Sequence, residues 1–264
     1  MDKKVIDNIV WYIPFRKLRD AVREYLKALV TPIIPRIPSN SSPSSISRAY
    51  QRSILDLMWQ EAAKESVKYI CKNGSNARMF VDRIQLLKFM LEEYIKNNDY
   101  KDKLFLEFGV FEGYTINFCS SLIPEAKFYG FDSFEGLPET WHAECFKGEF
   151  DVKGKLPKVN KNVSLIKGYF NETLPKFLEE HKEKASFIHI DCDLYSSTKT
   201  VFDNIYDRIV PNTVIQFDEY YNYPGWRNHE FKAFQEFCKK YSVEYEYIGI
   251  SLYQVAVVIK SIKN

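Results

Sequence analysis

Acidic residues stand at the ends of two predicted strands in the C-terminal half of the chain. Asp191 follows the apolar run SFIHI, and Asp218 and Glu219 follow the run TVIQF. Because neighbouring parallel strands end at the same edge of a sheet, these three carboxylates are predicted to converge. Carboxylates held close together repel one another and raise one another's pKa values. Mg²⁺, a hard cation that prefers oxygen ligands, relieves that repulsion, so a metal site is predicted; taken singly, each acid could instead be an exposed helix cap.

A glycine-containing turn follows an earlier predicted strand. Gly109 and Gly113 permit a tight turn and close approach of the backbone to a ligand. Phe111 stands where a dinucleotide fingerprint has its middle glycine, which favours a ligand without a pyrophosphate. The next predicted strand ends at Asp132, 25 residues after Glu107, where a carboxylate suits hydrogen bonds to ribose hydroxyls. Alternatively, Asp132 only caps the segment that follows it.

Strands that alternate with helices are predicted to position these residues. From about residue 103, short continuous apolar runs alternate with helical stretches, a pattern that predicts an α/β fold with a parallel sheet covered on both faces. The last two runs, EYEYIGI and YQVAVVI, are separated by a short turn and predict an antiparallel hairpin at one edge of the sheet. A domain over residues 99–264 is therefore expected, with a long loop at 133–162.

The preceding residues differ in character. Residues 1–30 predict a basic amphipathic helix, and residues 31–47, with four Pro and six Ser, predict a linker. The basic helix could lie on an anionic membrane surface, pack on its own domain or pack across a homodimer, and a homo-oligomer is expected. Residues 48–98 predict a helical lead-in with helices at 48–72 and 76–97, broken at Asn73-Gly74.

Composition excludes several classes of protein. The chain has 264 residues with 45% hydrophobic residues, which excludes a disordered or low-complexity chain. Its net charge of +2 argues against a nucleic-acid partner. Five widely spaced cysteines without a CxxC pair predict neither disulfides nor a zinc cluster. No apolar run reaches the length of a membrane-spanning helix and no signal peptide is recognised, so a cytoplasmic protein is predicted, with membrane association through the N-terminal arm as an alternative.

Five motifs occur together in order. They are EFGVFEGYT, YGFDSFEGLPE, KGYFNETLP, HIDCDLYSST and FDEYYNYPG. This set resembles the macrocin O-methyltransferase (TylF-type) family of sugar O-methyltransferases, which depend on S-adenosylmethionine (SAM) and Mg²⁺, over about residues 76–260. The resemblance implies a Rossmann-like class I methyltransferase fold with a seven-stranded sheet.

The resemblance also implies roles for individual residues. The implied cofactor-binding positions are Glu107, Gly109, Val110, Phe111, Gly113, Thr115, Asp132, Ser133, Gly168, Tyr169, Phe170 and Asp191. Asp191, Asp218 and Glu219 fall on metal-ligand positions, and Asp193 falls on a general-base position. Relatives often have Asp-Asp where this chain has Asp218-Glu219, so metal binding with altered geometry is expected. Some relatives have a histidine at the position of Leu194, and its absence here favours Asp193 as the base.

The expected function is methyl transfer to a sugar hydroxyl of a bacterial surface glycan, a nucleotide sugar or another small molecule. The loop at 133–162 is predicted to close over this acceptor. Candidate acceptor-binding residues are Trp141, His142, Tyr195, Tyr220, Trp226 and His229. Trp141 could stack on a sugar face or simply pack in the interior.

Two other functions stay open at the level of the sequence. Asp191-Cys192-Asp193 fits the DxD pattern of metal-dependent glycosyltransferases that use nucleotide sugars. The glycine turn and Asp132 upstream of it count against that class. A non-enzymatic adaptor with an eroded site is a further possibility, although all three predicted metal carboxylates are present.

Overall fold

The structure is a computed structural model that describes residues 43–142 and 145–263. The chain divides into two compact units, residues 1–58 and 59–264. The predicted amphipathic helix at 1–30 and most of the linker lie outside the described residues. Helix α1 (Pro43–Asn73) includes residues 43–47, which were predicted as linker. A proline is tolerated in the first turn of a helix, where its missing N–H has no helical partner, so a Pro/Ser-rich stretch can begin a helix.

The second unit is built on one mixed sheet of eight strands. The strands are β1 (Arg78–Met79), β2 (Leu104–Phe108), β3 (Phe128–Asp132), β4 (Val163–Lys167), β5 (Ala185–Ile190), β6 (Val214–Phe217), β7 (Glu244–Ile250) and β8 (Val255–Ser261). Their order is β1-β7-β8-β6-β5-β2-β3-β4. The predicted α/β fold with a mostly parallel sheet is confirmed, but the sheet has one strand more than the seven expected.

Helices connect these strands. They are α2 (Arg83–Phe89), which continues as a π-helical turn (Met90–Ile95), α3 (Tyr114–Leu122), α4 (Phe170–Glu180), α5 (Tyr195–Ile205) and α6 (Glu230–Lys240), with short 3₁₀ turns at Tyr206–Arg208 and Trp226–Asn228. The described part of the long loop at 133–162 contains no helix, as predicted.

Alternate residues of the strands supply two apolar layers. In β2, Leu104, Leu106 and Phe108 belong to one hydrophobic cluster, and Phe105 belongs to the other. Successive strand residues point to opposite faces of a sheet, so a continuous apolar strand requires cover on both faces. The continuous apolar runs of the sequence therefore correspond to central strands.

The extra strand also corrects the predicted helix at 76–97. Residues Arg78–Met79 pair in parallel with the end of β7 instead of continuing a helix. Helix α2 begins only after Asp82, whose Oδ1 accepts the backbone N–H of Gln85 at 2.9 Å and caps the helix. The predicted break after Asn73 coincides with the end of α1.

The predicted hairpin forms between β7 and β8, which pair antiparallel. It is not the outermost part of the sheet, because β1 pairs with the far side of β7. All five cysteines are free thiols. Within the residues that the structure describes, no helix combines the length and the apolar character needed to cross a membrane.

Candidate active site

The residues that directly follow the parallel strands form a row along one edge of the sheet. Gly168, Gly109, Asp191 and Asp218 each donate a backbone N–H to the strand beside them at 2.9 Å. The hydrogen-bonded ladder thus continues one residue beyond the strands. Strands β5 and β6 are parallel neighbours, as predicted, which brings Asp191 and Asp218 side by side.

Gly109 allows the row to close tightly. Its φ is +95°, and a Cβ built on it would lie 1.7 Å from the backbone oxygen of Asp191. No side chain fits in that space, so the turn after β2 and the end of β5 are in direct backbone contact. The glycine was predicted to let the backbone approach a ligand; in the structure it lets the backbone approach Asp191, and the approach to a ligand stays a prediction.

Asp132 shapes the same turn. Its Oδ2 accepts the backbone N–H groups of Val110 and Phe111 at 2.8 Å each, and its Oδ1 accepts the N–H of Phe134 at 2.7 Å. The Asp132 carboxylate therefore fixes two backbone segments, the turn that follows β2 and the segment that follows β3. These bonds match the alternative in which Asp132 is a cap, while the ribose contact stays a prediction.

Glu107 lies behind the turn. Its carboxylate is buried, and it accepts the Thr115 hydroxyl at 2.9 Å and contacts His189 Nδ1 at 3.0 Å. Among the described residues, Glu107 and Gly113 are not part of the cavity wall, although both were expected at the cofactor. Glu107 and His189 form a buried layer that supports the turn.

A cavity of about 600 Å³ opens at this edge of the sheet. Predicted site residues on its wall are Gly109, Val110, Phe111, Thr115, Asp132, Ser133, Trp141, Gly168, Tyr169, Phe170, Asp191, Asp193 and Glu219. The volume lies in the range of small-molecule sites. We call the wall formed by 109–111, 132–133 and 168–170 the glycine half of the cavity.

The glycine half presents aromatic rings to the cavity. Phe111 and Tyr169 are 40% and 41% exposed. Phe150, from the long loop, packs edge-to-face on Phe111 with ring centroids 5.6 Å apart. The sequence analysis did not select Phe150, because nothing in the sequence of that loop distinguishes it from its neighbour Phe146.

Asp191, Asp193 and Glu219 also line the cavity, and Asp218 is buried beside them; we call these four residues the acid cluster. Among the described residues, two sets offer ligand atoms within 4.8 Å of one another: His189, Asp191 and Asp218, and Asp191, Asp193 and Glu219. The predicted trio of Asp191, Asp218 and Glu219 is thus split between two sets that share Asp191. Asp218 and Glu219 are consecutive residues at the end of a strand, so their side chains leave the backbone in opposite directions.

Two residues without a sequence motif complete the cluster. Glu230, the first residue of α6, is fully buried, and its two carboxylate oxygens accept the backbone N–H groups of Asp193 and Glu219 at 3.2 Å each. Arg83, the first residue of α2, places Nη1 2.8 Å from Asp218 Oδ2. Arg83 comes from a helix 135 residues before Asp218, and Glu230 from the helix that begins 11 residues after Glu219; in both cases the packing of the helix brings the side chain to the cluster.

Asp218 differs electrostatically from the other acids. Burial acts to raise its pKa, but the neighbouring His189 and the Arg83 guanidinium outweigh burial and lower the pKa below its usual value. Asp218 is therefore a carboxylate at neutral pH, and one of its oxygens, Oδ1, has no hydrogen-bond partner.

The remaining acids have raised pKa values. Burial is the main cause for Asp191, Glu219 and Glu230, and repulsion from the nearby carboxylates adds to it. Burial also raises the pKa of Asp193 to about 7. A carboxyl group with a pKa near 7 is suited to take and release a proton at neutral pH.

The residues predicted to bind an acceptor do not form one surface. Trp141 lines the cavity, and its ring lies 4.5 Å from that of His142 and 6.1 Å from that of His229, centroid to centroid. Tyr195 is turned towards α6, where its hydroxyl donates to Glu236 at 2.7 Å.

Two of these predictions are wrong. Tyr220 and Trp226 are 0% and 1% exposed and belong to the hydrophobic core. Tyr220 contacts the hydroxyl of Tyr247 at 2.8 Å, and Trp226 packs on Phe231. The chain after Glu219 turns into the core, so proximity to the acid cluster in sequence does not place these rings at the cavity.

Comparison with known proteins fits this architecture. Residues 106–220 match the family described as "Methyltransferase domain". The match covers somewhat less than half of the chain. No curated protein matches the sequence.

Solved structures of similar fold include two methyltransferases. CalS11, a calicheamicin methyltransferase, is 19% identical, with a TM-score of 0.55 over 83% of this chain and 94% of that chain. The O-methyltransferase NovP is 19% identical, with a TM-score of 0.52 over 68% of this chain and 79% of that chain. At these identities the likeness concerns the fold, which is that of a class I SAM-dependent methyltransferase.

Proposed function

We propose that the protein is a SAM-dependent, Mg²⁺-assisted O-methyltransferase that acts on a hydroxyl of a sugar, as part of a bacterial surface glycan or a nucleotide sugar. One observation carries the proposal: the glycine half and three residues of the acid cluster, Asp191, Asp193 and Glu219, line the same cavity. A methyl donor bound in one half would lie beside an acceptor held at the other.

The glycine half fits a nucleoside-containing cofactor. Gly109 lies on the cavity wall without a side chain, and Phe111 and Tyr169 offer exposed rings on which a purine can stack. When bound there, SAM supplies an electrophilic methyl group on a sulfonium. The protein's contribution is to hold this group in line with an acceptor hydroxyl, which lowers the entropic part of the barrier.

The acid cluster fits a divalent cation. Asp218 Oδ1 and Glu219 Oε2 are buried and have no hydrogen-bond partner in the described structure. Buried carboxylate oxygens without partners are costly, and a hard cation satisfies them. Asp191, Asp218 and Glu219 would hold the metal, which would supply positive charge that orients the acceptor and lowers the pKa of its hydroxyl.

Asp193 is suited to be the general base. It lines the cavity, its pKa is raised by burial to about 7, and its backbone N–H is held by Glu230 at 3.2 Å. The carboxylate would accept the proton of the acceptor hydroxyl as the methyl group is transferred. The bond from Glu230 fixes the position of Asp193 without occupying its side chain.

Two observations support a sugar as the acceptor. The five-motif resemblance to sugar O-methyltransferases supports a sugar, and the Trp141 ring on the cavity wall offers an apolar surface for a sugar face. The DxD alternative loses support, since Asp191 and Asp193 lie within the residues that match a methyltransferase family.

The test begins with calorimetric titration of SAM in the presence of Mg²⁺ or EDTA. It continues with an assay for S-adenosylhomocysteine release over a panel of nucleotide sugars. Asp193→Asn should retain SAM binding and lose roughly 10²–10⁴-fold in turnover. Asparagine suits this position because the φ of Asp193 is +60°, in the left-handed region that asparagine tolerates.

A matched control is Asp203→Asn on the exposed face of α5, which removes a carboxylate paired with Lys199. It should behave as the wild type. Failure of the wild-type protein to bind SAM would refute the proposal, and equal turnover in Asp193→Asn and the wild type would remove Asp193 from the mechanism.

A further inference from the structure

Arg83 occupies an unusual place for a cation. Its Nη1 lies 2.8 Å from Asp218 Oδ2 and 3.9 Å from Asp191 Oδ2, so it touches two of the carboxylates proposed to hold a metal. Asp218 is 1% exposed, whereas the Arg83 side chain is 39% exposed and lines the cavity. The arginine is therefore the partner that has room to move.

Arg83 also supplies positive charge directly beside the acid cluster. Among the described residues, it is the one lysine or arginine that lies within 4.0 Å of an acid-cluster carboxylate. His189 is the other basic group nearby, with Nε2 3.7 Å from Asp218 Oδ1, and it is fully buried. Removal of the guanidinium would leave His189 as the one basic partner of Asp218 among the described residues.

The surrounding helix does not depend on this contact. The N-terminus of α2 is capped by the Asp82 side chain, which accepts the N–H of Gln85. The guanidinium of Arg83 stands at the end of a flexible side chain, and it can leave Asp218 without loss of a helix cap.

We propose that Arg83 is an internal counter-ion that competes with the divalent cation for Asp218. Without the cation, the guanidinium neutralises the buried carboxylate; with the cation, it is released into the cavity. This inference rests on the proposed function, because it assumes that the acid cluster holds a metal. It predicts that Arg83 lowers metal affinity and, in exchange, stabilises the metal-free protein.

The experiment measures Mn²⁺ binding by electron paramagnetic resonance of the free ion, together with the melting temperature as Mn²⁺ is added. The variants are Arg83→Gln, which removes the charge at similar length, and Arg83→Lys, which keeps it. The matched control is Arg78→Gln, since Arg78 forms an exposed pair with Glu93 at 3.0 Å, away from the cavity. Asp218→Asn reports whether the metal binds at this site.

Arg83→Gln should bind Mn²⁺ more tightly than the wild type, on the order of ten-fold, because a competing charge is gone. Its melting temperature should be lower without metal and should rise more steeply as Mn²⁺ is added. Arg83→Lys and Arg78→Gln should stay close to the wild type in affinity. Asp218→Asn should bind poorly.

Two failures are distinguishable. If the wild type binds Mn²⁺, Asp218→Asn does not, and Arg83→Gln binds equally or more weakly than the wild type, the counter-ion role is overturned while the metal site stands. If no variant binds Mn²⁺, the metal part of the proposed function fails as well. The SAM titration then shows separately whether the cofactor part survives.

Discussion

The two halves of the cavity are held in shape by different interactions. The glycine half depends on backbone: a glycine with positive φ, a turn pressed against the end of β5 and N–H groups fixed by Asp132. The acid cluster depends on side chains brought from α2 and α6, namely Arg83 and Glu230. The addition of one methyl group at Gly109 should disturb the first half, whereas a change of charge or of a hydrogen-bond acceptor should disturb the second.

The largest stability effect should come from Gly109→Ala. A Cβ at this position would lie 1.7 Å from the Asp191 oxygen, and the positive φ adds strain. The free energy of unfolding should fall by about 3 kcal/mol or more, since backbone on both sides must shift. Urea denaturation measures this loss.

Gly148→Ala is the matched control. Gly148 also has a positive φ, +86°, but a Cβ there meets nothing within 4 Å. Only the cost of placing alanine in a backbone conformation with positive φ should remain, and the free energy of unfolding should fall by about 1 kcal/mol. Equal losses in the two variants would mean that the close contact with Asp191 contributes nothing.

An intermediate effect is expected for Glu230→Gln. Glutamine presents one acceptor and one amide donor to two backbone N–H groups, so one of the two bonds at Asp193 and Glu219 must be lost. The protein should lose about 1–3 kcal/mol of stability. Thermal and urea unfolding measure it.

On the same helix, Glu236→Gln changes an exposed acceptor of the Tyr195 hydroxyl and should have little effect on stability. SAM affinity in Glu230→Gln should stay near the wild-type value, because the glycine half is unchanged. A large loss of SAM affinity would contradict the separation of the two halves.

The smallest effect should come from Phe150→Ala. This change removes the ring that packs on Phe111 at the cavity wall. SAM affinity should fall by roughly five-fold, the scale of one aromatic contact of about 1 kcal/mol. Phe146→Ala, in the same loop but 58% exposed, is the control. Calorimetry that finds the two variants equal would exclude Phe150 from the cofactor site.

Local sequence was sufficient for features that depend on local structure. The continuous apolar runs, the acids at strand ends and the glycine turn follow from residue type and spacing, and the neighbouring β5 and β6 follow from the alternation of elements. The role of Asp132 remained open between a ligand contact and a cap, because one carboxylate at a strand end is compatible with both.

Features that depend on distant residues were not predictable. The helix expected at 76–97 is interrupted because Arg78–Met79 pairs with the end of β7, roughly 170 residues later in the chain. Arg83 and Glu230 reach the acid cluster through tertiary packing, and both lie outside the matched domain at 106–220. Tyr220 turns into the core because Phe231 and Phe234 provide a place for its ring.

The two-residue strand β1 bears on how the protein avoids aggregation. An unpaired sheet edge is a template on which a second chain can add a strand. β1 covers Gly249 and Ile250 of β7, which are apolar or lack a side chain, and the uncovered part of β7 carries the exposed acids Glu244 and Glu246. Deletion of β1 would therefore expose the stretch of this edge that has no charge to repel another strand, and self-association would increase.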